Sequence, residues 1–337
     1  MRAAARRTRS PASPAVPATG ITVYGCGPDE AALFRELAPH FGVVPTITAA
    51  PVSEADAGLA LGNRCVSVGH QTRVTDATLL ALRRIGVAYV STRSVGYDHI
   101  DVRSAQRLGM VVGNVAYSPD SVADYTLMLM LMAVRAAKSV LRRVDVHDYR
   151  LPPARGRELR DLTVGVVGTG RIGAAVIDRL RGFGGKILAT DSRPKAGTDH
   201  VPLDALLRQS DIVTLHTPLN ADTRHLLDRR RIGLMKRGAY VINTGRGSLL
   251  DTGALVLALE RGRLGGAALD VLEGEEGIFY ADRRNRTVPN EQLLRLQELP
   301  NVIVSPHTAY YTDHALSDTV QHSIVNCLEF ESGSPRG

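Results

Sequence analysis

Short runs of β-branched and other apolar residues alternate along the chain with stretches in which apolar residues recur at helical spacing. In the first third, the helical stretches lie at 30–40 and 75–84. The strand-like runs there are 21–24, 66–68, 87–91 and 111–112. Strands that alternate with helices are typical of a parallel sheet covered by helices.

The same alternation starts again, more strongly, after a polar link at 151–160. Six strand-like runs follow, at 163–167, 186–190, 212–216, 239–243, 266–270 and 302–305. This is the strand count of a complete dinucleotide-binding sheet, so we predict an α/β chain with two Rossmann-like, doubly wound parallel-sheet domains. The segment after Pro306 is too short for a third domain and should return to the first, which is then discontinuous. The predicted boundaries are a tail at 1–20, a first domain at 21–115 with 308–337, and a dinucleotide-binding domain at 116–307.

The most apolar run, YTLMLMLMAV at 125–134, has ten residues, whereas a bilayer span needs about 20. It predicts instead the buried middle of a long helix that starts at Ser118, Pro119 and Asp120 and ends in the basic stretch 138–143. Because this helix is apolar on every face, it should pack on two sides, as at a domain junction or a subunit contact. We expect no membrane association.

The composition is that of an ordinary globular protein, and most of the excess positive charge lies in the N-terminal tail. The chain has 337 residues, of which 44% are apolar and 22% charged, and a net charge of +7. These proportions are ordinary for a globular protein. Four arginines of the acid-free segment 1–19 carry over half of that charge. We interpret this segment as a disordered tail, with an organelle transit peptide as the alternative.

Cysteine, aromatic and histidine usage exclude several classes of protein. Three widely spaced cysteines, Cys26, Cys65 and Cys327, favour a reducing, cytoplasmic location. The body has no basic run and aromatic residues are 4% of the chain, so we expect no nucleic-acid partner. The ten histidines and the cysteines show no metal-binding spacing, so we expect no metal.

A glycine-rich turn, Gly168-Thr169-Gly170-Arg171-Ile172-Gly173, lies between a predicted strand and an amphipathic helix at 172–183. In such turns the glycines allow a tight bend, close approach of a pyrophosphate and packing of the helix on the strand. Asp191 ends the next strand, where a carboxylate can accept a hydrogen bond from the ribose 2′-OH. This arrangement favours NAD, while Arg193 and Lys195 keep NADP open as an alternative.

Three polar segments directly follow strands of the second sheet, at 243–247, 270–275 and 305–308. Because the carboxyl ends of parallel strands meet at one edge, Arg246, a glutamate and His307 should converge. Reduction of a 2-keto acid needs a proton donor such as histidine, a carboxylate that favours the protonated imidazole, and an arginine that binds the substrate carboxylate. Together with the nucleotide turn, these residues predict an oxidoreductase acting on a small 2-keto acid.

Four motifs resemble the D-isomer specific 2-hydroxyacid dehydrogenase family over about residues 21–331. They are GTGRIG at 168–173, NTGRGSLLD at 243–251, GGAALDVLEGEEG at 265–277 and NVIVSPHTAYYT at 301–312. Within the family, TRSVGYDHID at 92–101, AYSPDSVADYTLMLMLM at 116–132 and ALDVLEGEEGIFY at 268–280 look like the D-lactate branch. More narrowly, they look like the D-lactate dehydrogenases of vancomycin-resistance operons.

The resemblance implies roles for individual residues. Arg246 would bind the substrate, His307 would be the acid–base residue, and Glu275, rather than Glu273 or Glu276, would be its carboxylate partner. The family's other substrate contacts fall on Ser94, Val95, Gly96, Tyr117 and Tyr310. Its cofactor contacts fall on Gly168, Gly170, Arg171, Ile172, Gly173, Asp191, Thr217, Pro218, Thr244, Gly245 and Asp270.

The resemblance also implies the reaction and the assembly. It implies reduction of pyruvate, or a similar 2-keto acid, to D-lactate with NAD(P)H, supplying vancomycin-resistant cell-wall precursors. It further implies a homodimer, a substrate domain built from both chain ends, and closure of the cleft on binding.

Other functions stay open. One is reduction of a bulkier branched 2-keto acid, and another is a non-enzymatic, dinucleotide-sensing co-repressor, since this fold serves both. A polar stretch at 277–292, longer than the phosphoglycerate branch carries, argues against phosphoglycerate as the substrate. Glu275 stands where the formate branch has glutamine, which argues against formate oxidation.

Overall fold

The computed structural model describes residues 19–152, 155–194 and 197–333. These residues form two compact units, one with the chain up to Ala116 and from Thr319 onward, and the other from Tyr117 to Asp318. Each unit is built on one parallel sheet, which confirms the predicted α/β class and the discontinuous first domain. Lys195 and residues 1–18 of the predicted tail lie outside the described residues, whereas Thr19 and Gly20 already belong to the first strand.

The first unit contains a five-stranded parallel sheet. Its strands are β1 (Thr19–Val23), β2 (Val43–Ile47), β3 (Cys65–Val68), β4 (Tyr89–Thr92) and β5 (Val111–Asn114), in the order β2-β1-β3-β4-β5. Its helices are α1 (Pro28–Leu37), α2 (Asp76–Arg84) and α3 (Val102–Arg107), with 3-10 turns at Ala38–Phe41 and Ala57–Ala60. This order changes direction between β1 and β3, where doubly wound sheets bind ligands.

The second unit contains a seven-stranded parallel sheet. Its strands are β6 (Thr163–Val167), β7 (Lys186–Thr190), β8 (Asp199–His200), β9 (Ile212–Leu215), β10 (Tyr240–Asn243), β11 (Gly266–Leu269) and β12 (Val302–Val304). Their order, β12-β11-β10-β9-β6-β7-β8, reverses between β6 and β9, as in a dinucleotide-binding sheet. Two clusters of buried apolar residues pack on its faces.

Helices of several lengths surround this sheet. They are α4 (Asp120–Val134), α5 (Ala137–Asp145), α6 (Arg171–Arg181), α7 (Leu203–Gln209), α8 (Arg229–Leu234), α9 (Thr252–Glu260) and α10 (Glu291–Glu298), with 3-10 turns at Leu159–Asp161 and Gly247–Leu249. The last helix, α11 (Asp313–Ser332), carries the chain into the first unit, where Val320, Ile324 and Cys327 pack with the core around β1. No helix among the described residues is long and apolar enough to cross a membrane.

Two strands and one helix differ from the sequence prediction. β2 contains Pro45, which is tolerated because β2 is an edge strand, and β8 has only two residues, so neither gives a clear strand pattern. The prediction of one long helix from Ser118 to the stretch 138–143 is wrong. Ala136 adopts a left-handed conformation with φ of 51° and separates α4 from α5. α4 buries Leu127 and Met130 but leaves Met128 and Leu131 exposed.

The boundary between the units differs from the predicted boundary at 308. Residues 308–318 belong to the second unit because hydrogen bonds hold them there. The main-chain N–H groups of Thr308 and Ala309 donate to the carboxylate of Asp270, and the N–H of Ser118 donates to Asp318.

Candidate active site

The glycine-rich turn joins β6 to α6. Gly168 has φ of 92°, and a Cβ there would lie 2.7 Å from the main-chain oxygen of His216. A Cβ on Gly173 would lie 2.0 Å from the oxygen of Gly168, so the helix packs against the turn too closely for any side chain. Gly170 directly precedes α6, and a Cβ there would meet nothing within 4 Å. The first amides of α6, at Arg171 and Ile172, therefore follow an open turn of the kind that binds pyrophosphate.

Asp191 lies beside this turn, at the end of β7. Its Oδ2 accepts hydrogen bonds from the N–H of Thr169 at 2.5 Å and from the Thr169 hydroxyl at 3.0 Å. Its Oδ1 accepts from the N–H of Arg193 at 2.8 Å. Burial opposes ionisation, but these hydrogen bonds outweigh it and hold the pKa of Asp191 below its usual value. Asp191 is therefore a fixed negative charge beside the turn.

The residues after β9 and β10 complete this edge of the sheet. The Oγ1 of Thr217 is buried and has no hydrogen-bond partner among the described residues, while its methyl group lies against Gly168. Pro218 follows it, and burial lowers the pKa of the neighbouring His216 to about 4, so that imidazole is neutral. Thr244 shares a hydrogen bond of 2.9 Å with Thr126 of α4, and the N–H of Gly245 donates to Asn243. A bound dinucleotide would supply the hydrogen bond that this buried Thr217 hydroxyl lacks beside the glycine turn. These residues therefore fit NAD.

His307 and Glu275 form a hydrogen-bonded pair. The Nδ1 of His307 lies 2.6 Å from Oε1 of Glu275, and the other carboxylate oxygen accepts from the N–H of Leu272 at 2.6 Å. The two side chains are 13% and 19% exposed, so the pair is mostly shielded from water. Both oxygens of Glu275 thus have protein donors, which fixes the orientation of the imidazole.

Asp270 braces the segment that carries His307. Its carboxylate, at the end of β11, accepts from the Ser305 hydroxyl at 2.6 Å and from the N–H groups of Thr308 at 2.9 Å and Ala309 at 2.8 Å. Its main-chain oxygen accepts from the N–H of His307 at 2.7 Å. Burial raises the pKa of Asp270, although these donors oppose the shift. The residue predicted as a cofactor contact therefore also shapes the turn at His307.

Arg246 and two tyrosines belong to the same unit as His307. The guanidinium of Arg246 donates to the oxygen of Gly245 at 3.0 Å, and the oxygen of Arg246 accepts from Asn243 at 2.9 Å. Burial raises the pKa of Tyr117, and the nearby charge of Arg246 opposes that shift. The ring of Tyr117 lies 6.5 Å from that of Tyr310, which meets the imidazole of His307 edge-on at 6.4 Å. Together with Glu275, these residues make five that were predicted from four motifs and that lie in this one unit.

The remaining residues predicted to contact the substrate, Ser94, Val95 and Gly96, form a loop of the first unit after β4. The hydroxyl of Ser94 donates to the oxygen of Gly96 at 2.7 Å, and Asn114 donates to the oxygen of Val95 at 2.6 Å. The buried guanidinium of Arg93 anchors the loop through Glu30 at 2.9 Å. The loop is therefore a rigid turn.

The family description "D-isomer specific 2-hydroxyacid dehydrogenase, NAD binding domain" matches residues 127–309. The chain belongs to this family. It is accordingly an NAD-dependent oxidoreductase of the D-specific 2-hydroxyacid type, and the recognition from sequence motifs, the enzyme class and the NAD cofactor are confirmed.

Relatives and solved structures agree with this membership. The chain is 59% identical over 312 residues, covering 93% of it and 97% of the relative, to a D-specific alpha-keto acid dehydrogenase of Enterococcus faecium. It is 36% identical over 317 residues, covering 92% and 96%, to an aromatic 2-oxoacid reductase of Clostridium sporogenes. The D-lactate dehydrogenase of Aquifex aeolicus, solved with NAD and lactic acid, superposes with a TM-score of 0.84 at 33% identity, covering 93% of this chain and 96% of that one.

Another residue of this unit, Glu273, was set aside in favour of Glu275 on the sequence alone, which predicted no role for it. Its Oε1 lies 2.9 Å from Nε2 of His225 and 3.2 Å from the Ser248 hydroxyl, and Arg224 donates to it at 3.2 Å. It therefore ties the loop that carries Glu275 to the loop that carries Arg246. Residue chemistry alone does not separate the three nearby glutamates, whereas the family motif points to Glu275. The hydrogen bonds agree with the motif, because Glu275 contacts His307 and Glu273 contacts His225 and Ser248.

Proposed function

We propose that the enzyme reduces pyruvate, or a similar 2-keto acid, to the D-2-hydroxy acid, which is D-lactate when the substrate is pyruvate. The observation that carries this proposal is the His307–Glu275 hydrogen bond of 2.6 Å in the unit that also holds the glycine turn and Arg246. A shielded histidine held by a carboxylate is suited to deliver a proton near neutral pH.

Each residue has one task in this reaction. When bound, NADH supplies the hydride that reaches the keto carbon. His307 donates the proton to the keto oxygen from Nε2, because Nδ1 faces Glu275. Glu275 stabilises the protonated imidazole, and Arg246 binds the substrate carboxylate through its guanidinium fork. The glycine turn, Asp191, Thr217, Pro218, Thr244, Gly245 and Asp270 are proposed to hold the cofactor.

Contacts with the rest of the substrate are proposed from the family resemblance. Tyr117 and Tyr310 lie on the Arg246 and His307 side of the second unit. The loop at Ser94, Val95 and Gly96 presents main-chain groups on a rigid turn. Aromatic walls suit an apolar substrate side chain, so a branched or aromatic 2-keto acid is the second candidate substrate.

The test is an absorbance assay of NADH oxidation against pyruvate, branched and aromatic 2-keto acids, with chiral analysis of the product. We expect D-product and the highest kcat/KM with pyruvate. A higher value with a branched or aromatic acid would favour the second candidate. An L-product, or nucleotide binding without turnover of any acid, would overturn the proposal.

Asp191 should decide between NADH and NADPH. Replacing it with serine is expected to lower the ratio of kcat/KM for NADH over NADPH by about two orders of magnitude, or ~2.8 kcal/mol, since the carboxylate repels a 2′-phosphate. Because the pKa of Asp191 is lowered, its carboxylate stays ionised at every pH above the usual pKa of an aspartate. The wild-type preference for NADH over NADPH should therefore not change from mildly acidic to alkaline pH. The control is Asp178→Ser, which removes an exposed carboxylate of α6 that pairs with Arg181. An unchanged ratio in Asp191→Ser would contradict this role.

A homodimer is proposed from the exposed face of α5 and the chain that follows it. α5 has no buried residue, and Leu141, Val144, Val146, Tyr149 and Leu151 are 44% to 92% exposed. Apolar surface of this kind marks contacts between subunits. The double substitution of Val146 and Leu151 by aspartate should halve the mass measured by light scattering. Leu61→Asp, at a leucine of the first unit that is 74% exposed, should leave the mass of the dimer unchanged, and a dimer that survives the double substitution would exclude this face.

We further propose a cytoplasmic enzyme whose D-lactate enters cell-wall precursors of vancomycin-resistant cells. The location is supported by three buried free thiols. The metabolic role follows from the motifs shared with dehydrogenases of vancomycin-resistance operons. Mass spectrometry of cell-wall precursors from cells with and without the gene should show termini in D-lactate only when the gene is present, and identical termini would exclude the role.

A further inference from the structure

The phenol of Tyr280 lies against the main chain of His307. Its hydroxyl donates to the oxygen of His307 at 2.5 Å, and its ring centre lies 6.2 Å from the imidazole. Tyr280 belongs to the polar stretch 277–292. We propose that Tyr280 is a positioning residue that holds His307 in the backbone conformation from which its imidazole meets Glu275. The proposal rests on the proposed role of His307 as the proton donor.

His307 needs such support because its backbone is strained. Its φ of 53° lies in the left-handed region, which residues other than glycine rarely occupy and which persists only where the surroundings impose it. Before the Cα, the N–H of His307 donates to the main-chain oxygen of Asp270. After the Cα, one peptide group is held at both of its polar ends: the N–H of Thr308 donates to the Asp270 carboxylate, and the carbonyl of His307 accepts from Tyr280. Hydrogen bonds thus hold the peptide groups on both sides of this Cα.

One turn of the chain carries two of the groups that bind His307, Glu275 and Tyr280. The N–H groups of Ile278 and Phe279 donate to the oxygen of Glu275 at 3.0 Å, which folds the segment so that residues 275 and 280 face the same histidine. Ile278 is 7% exposed and packs in the core, so the turn is anchored. Glu275 then binds the imidazole at Nδ1 while Tyr280 binds the carbonyl. Two-point binding from one rigid turn fixes both the backbone and the ring.

The phenol of Tyr280 remains a hydrogen-bond donor throughout the pH range in which activity is measured. Although Tyr280 is 45% exposed, desolvation of its hydroxyl and, after it, the neighbouring Tyr310, Glu275 and Asp270 raise the pKa of Tyr280 above its usual value. The hydroxyl therefore keeps its proton at alkaline pH, and its hold on His307 does not depend on pH. If removal of the Tyr280 hydroxyl changes the pH dependence of kcat, the change must therefore come from the imidazole of His307.

The experiment compares Tyr280→Phe with the wild type, because this change removes only the hydroxyl. Without it, the imidazole is less well aligned with Glu275, so we expect kcat to fall about tenfold to hundredfold. KM for the 2-keto acid should stay within about twofold, since Arg246 binds the carboxylate. The alkaline decline of kcat in the reduction direction should move to lower pH, because a loosened carboxylate favours the protonated imidazole less.

The control is Tyr24→Phe, which also removes a hydrogen bond from a phenol to main-chain oxygens, those of Asp56 and Ala57 in the first unit. It should leave the pH profile and kcat as in the wild type. Wild-type kcat and an unshifted pH profile in Tyr280→Phe would overturn the proposal.

Nuclear magnetic resonance of the cofactor-free protein separates this proposal from the proposed function. The downfield Nδ1 proton of His307, expected from its hydrogen bond to Glu275, should weaken in Tyr280→Phe even if the wild type reduces no 2-keto acid at all. Should that variant unfold, the wild type labelled in its tyrosines must show a slowly exchanging hydroxyl proton at Tyr280. Rapid exchange of that proton would overturn the proposal.

Discussion

Replacing His307 with glutamine is expected to reduce kcat for 2-keto acid reduction by about three orders of magnitude, or ~4 kcal/mol. The amide has similar size and can keep a hydrogen bond to Glu275, which now joins Nδ1 to Oε1 at 2.6 Å. It has no ionisable proton to deliver to the developing alkoxide. Steady-state absorbance of NADH, with binding of NADH measured separately by fluorescence, checks this result.

The matched control for His307→Gln is His314→Gln. The His314 side chain is 81% exposed, at the start of α11, and its nearest carboxylate is Asp318 at 4.0 Å. Its loss should leave kcat unchanged. If His307→Gln retained more than about a tenth of the wild-type kcat, another residue would have to be the proton donor.

Glu275→Gln should instead change the pH dependence. The carboxylate favours the protonated imidazole, and an amide does not. Reduction needs the protonated form and oxidation the neutral form, so the alkaline decline of reduction and the acidic decline of oxidation should both move to lower pH. An unchanged pH profile, or movement of the two declines in opposite directions, would contradict a role for Glu275 through His307.

Strand positions and polar strand ends were predictable because both follow from local pattern. All six predicted strands of the second sheet are present, and each boundary is shared or differs by one residue. Buried parallel strands are continuous apolar runs, and their carboxyl ends are where polar residues collect. β2 and β8 were not predicted, because β2 contains Pro45 and β8 has only two residues.

Long-range hydrogen bonds could not be predicted from local pattern. The break at Ala136 and the late boundary at Asp318 depend on backbone conformation and on acceptors far away in sequence. Tyr280 reaches His307 across 27 residues, and Asp270 reaches Ala309 across 39. The sequence indicates which residues are polar at the strand ends. Only the folded chain shows that Asp270 and Tyr280 shape the backbone at His307.

Arg246 is the second residue whose loss should have a large effect. Arg246→Gln is expected to lower kcat/KM for pyruvate by about three orders of magnitude, or ~4 kcal/mol, because the site would lose both the positive charge and the bidentate fork for the carboxylate. Arg246→Lys keeps the charge but cannot form two parallel hydrogen bonds, so it should recover about tenfold of that loss and no more. Steady-state kinetics over a wide range of pyruvate concentration measures both values.

The backbone at Arg246 should not change in these variants, because Asn243 binds the main-chain oxygen at 2.9 Å and does not depend on the guanidinium. NADH affinity should therefore stay near the wild-type value, which separates a lost substrate contact from a collapsed loop. Arg237→Gln, at an exposed arginine that follows α8, controls for a general loss of positive charge and should keep wild-type kcat/KM. If Arg246→Lys were as active as the wild type, charge alone would be enough to bind the substrate carboxylate. If Arg246→Gln kept the wild-type KM and kcat, Arg246 would have no part in substrate binding.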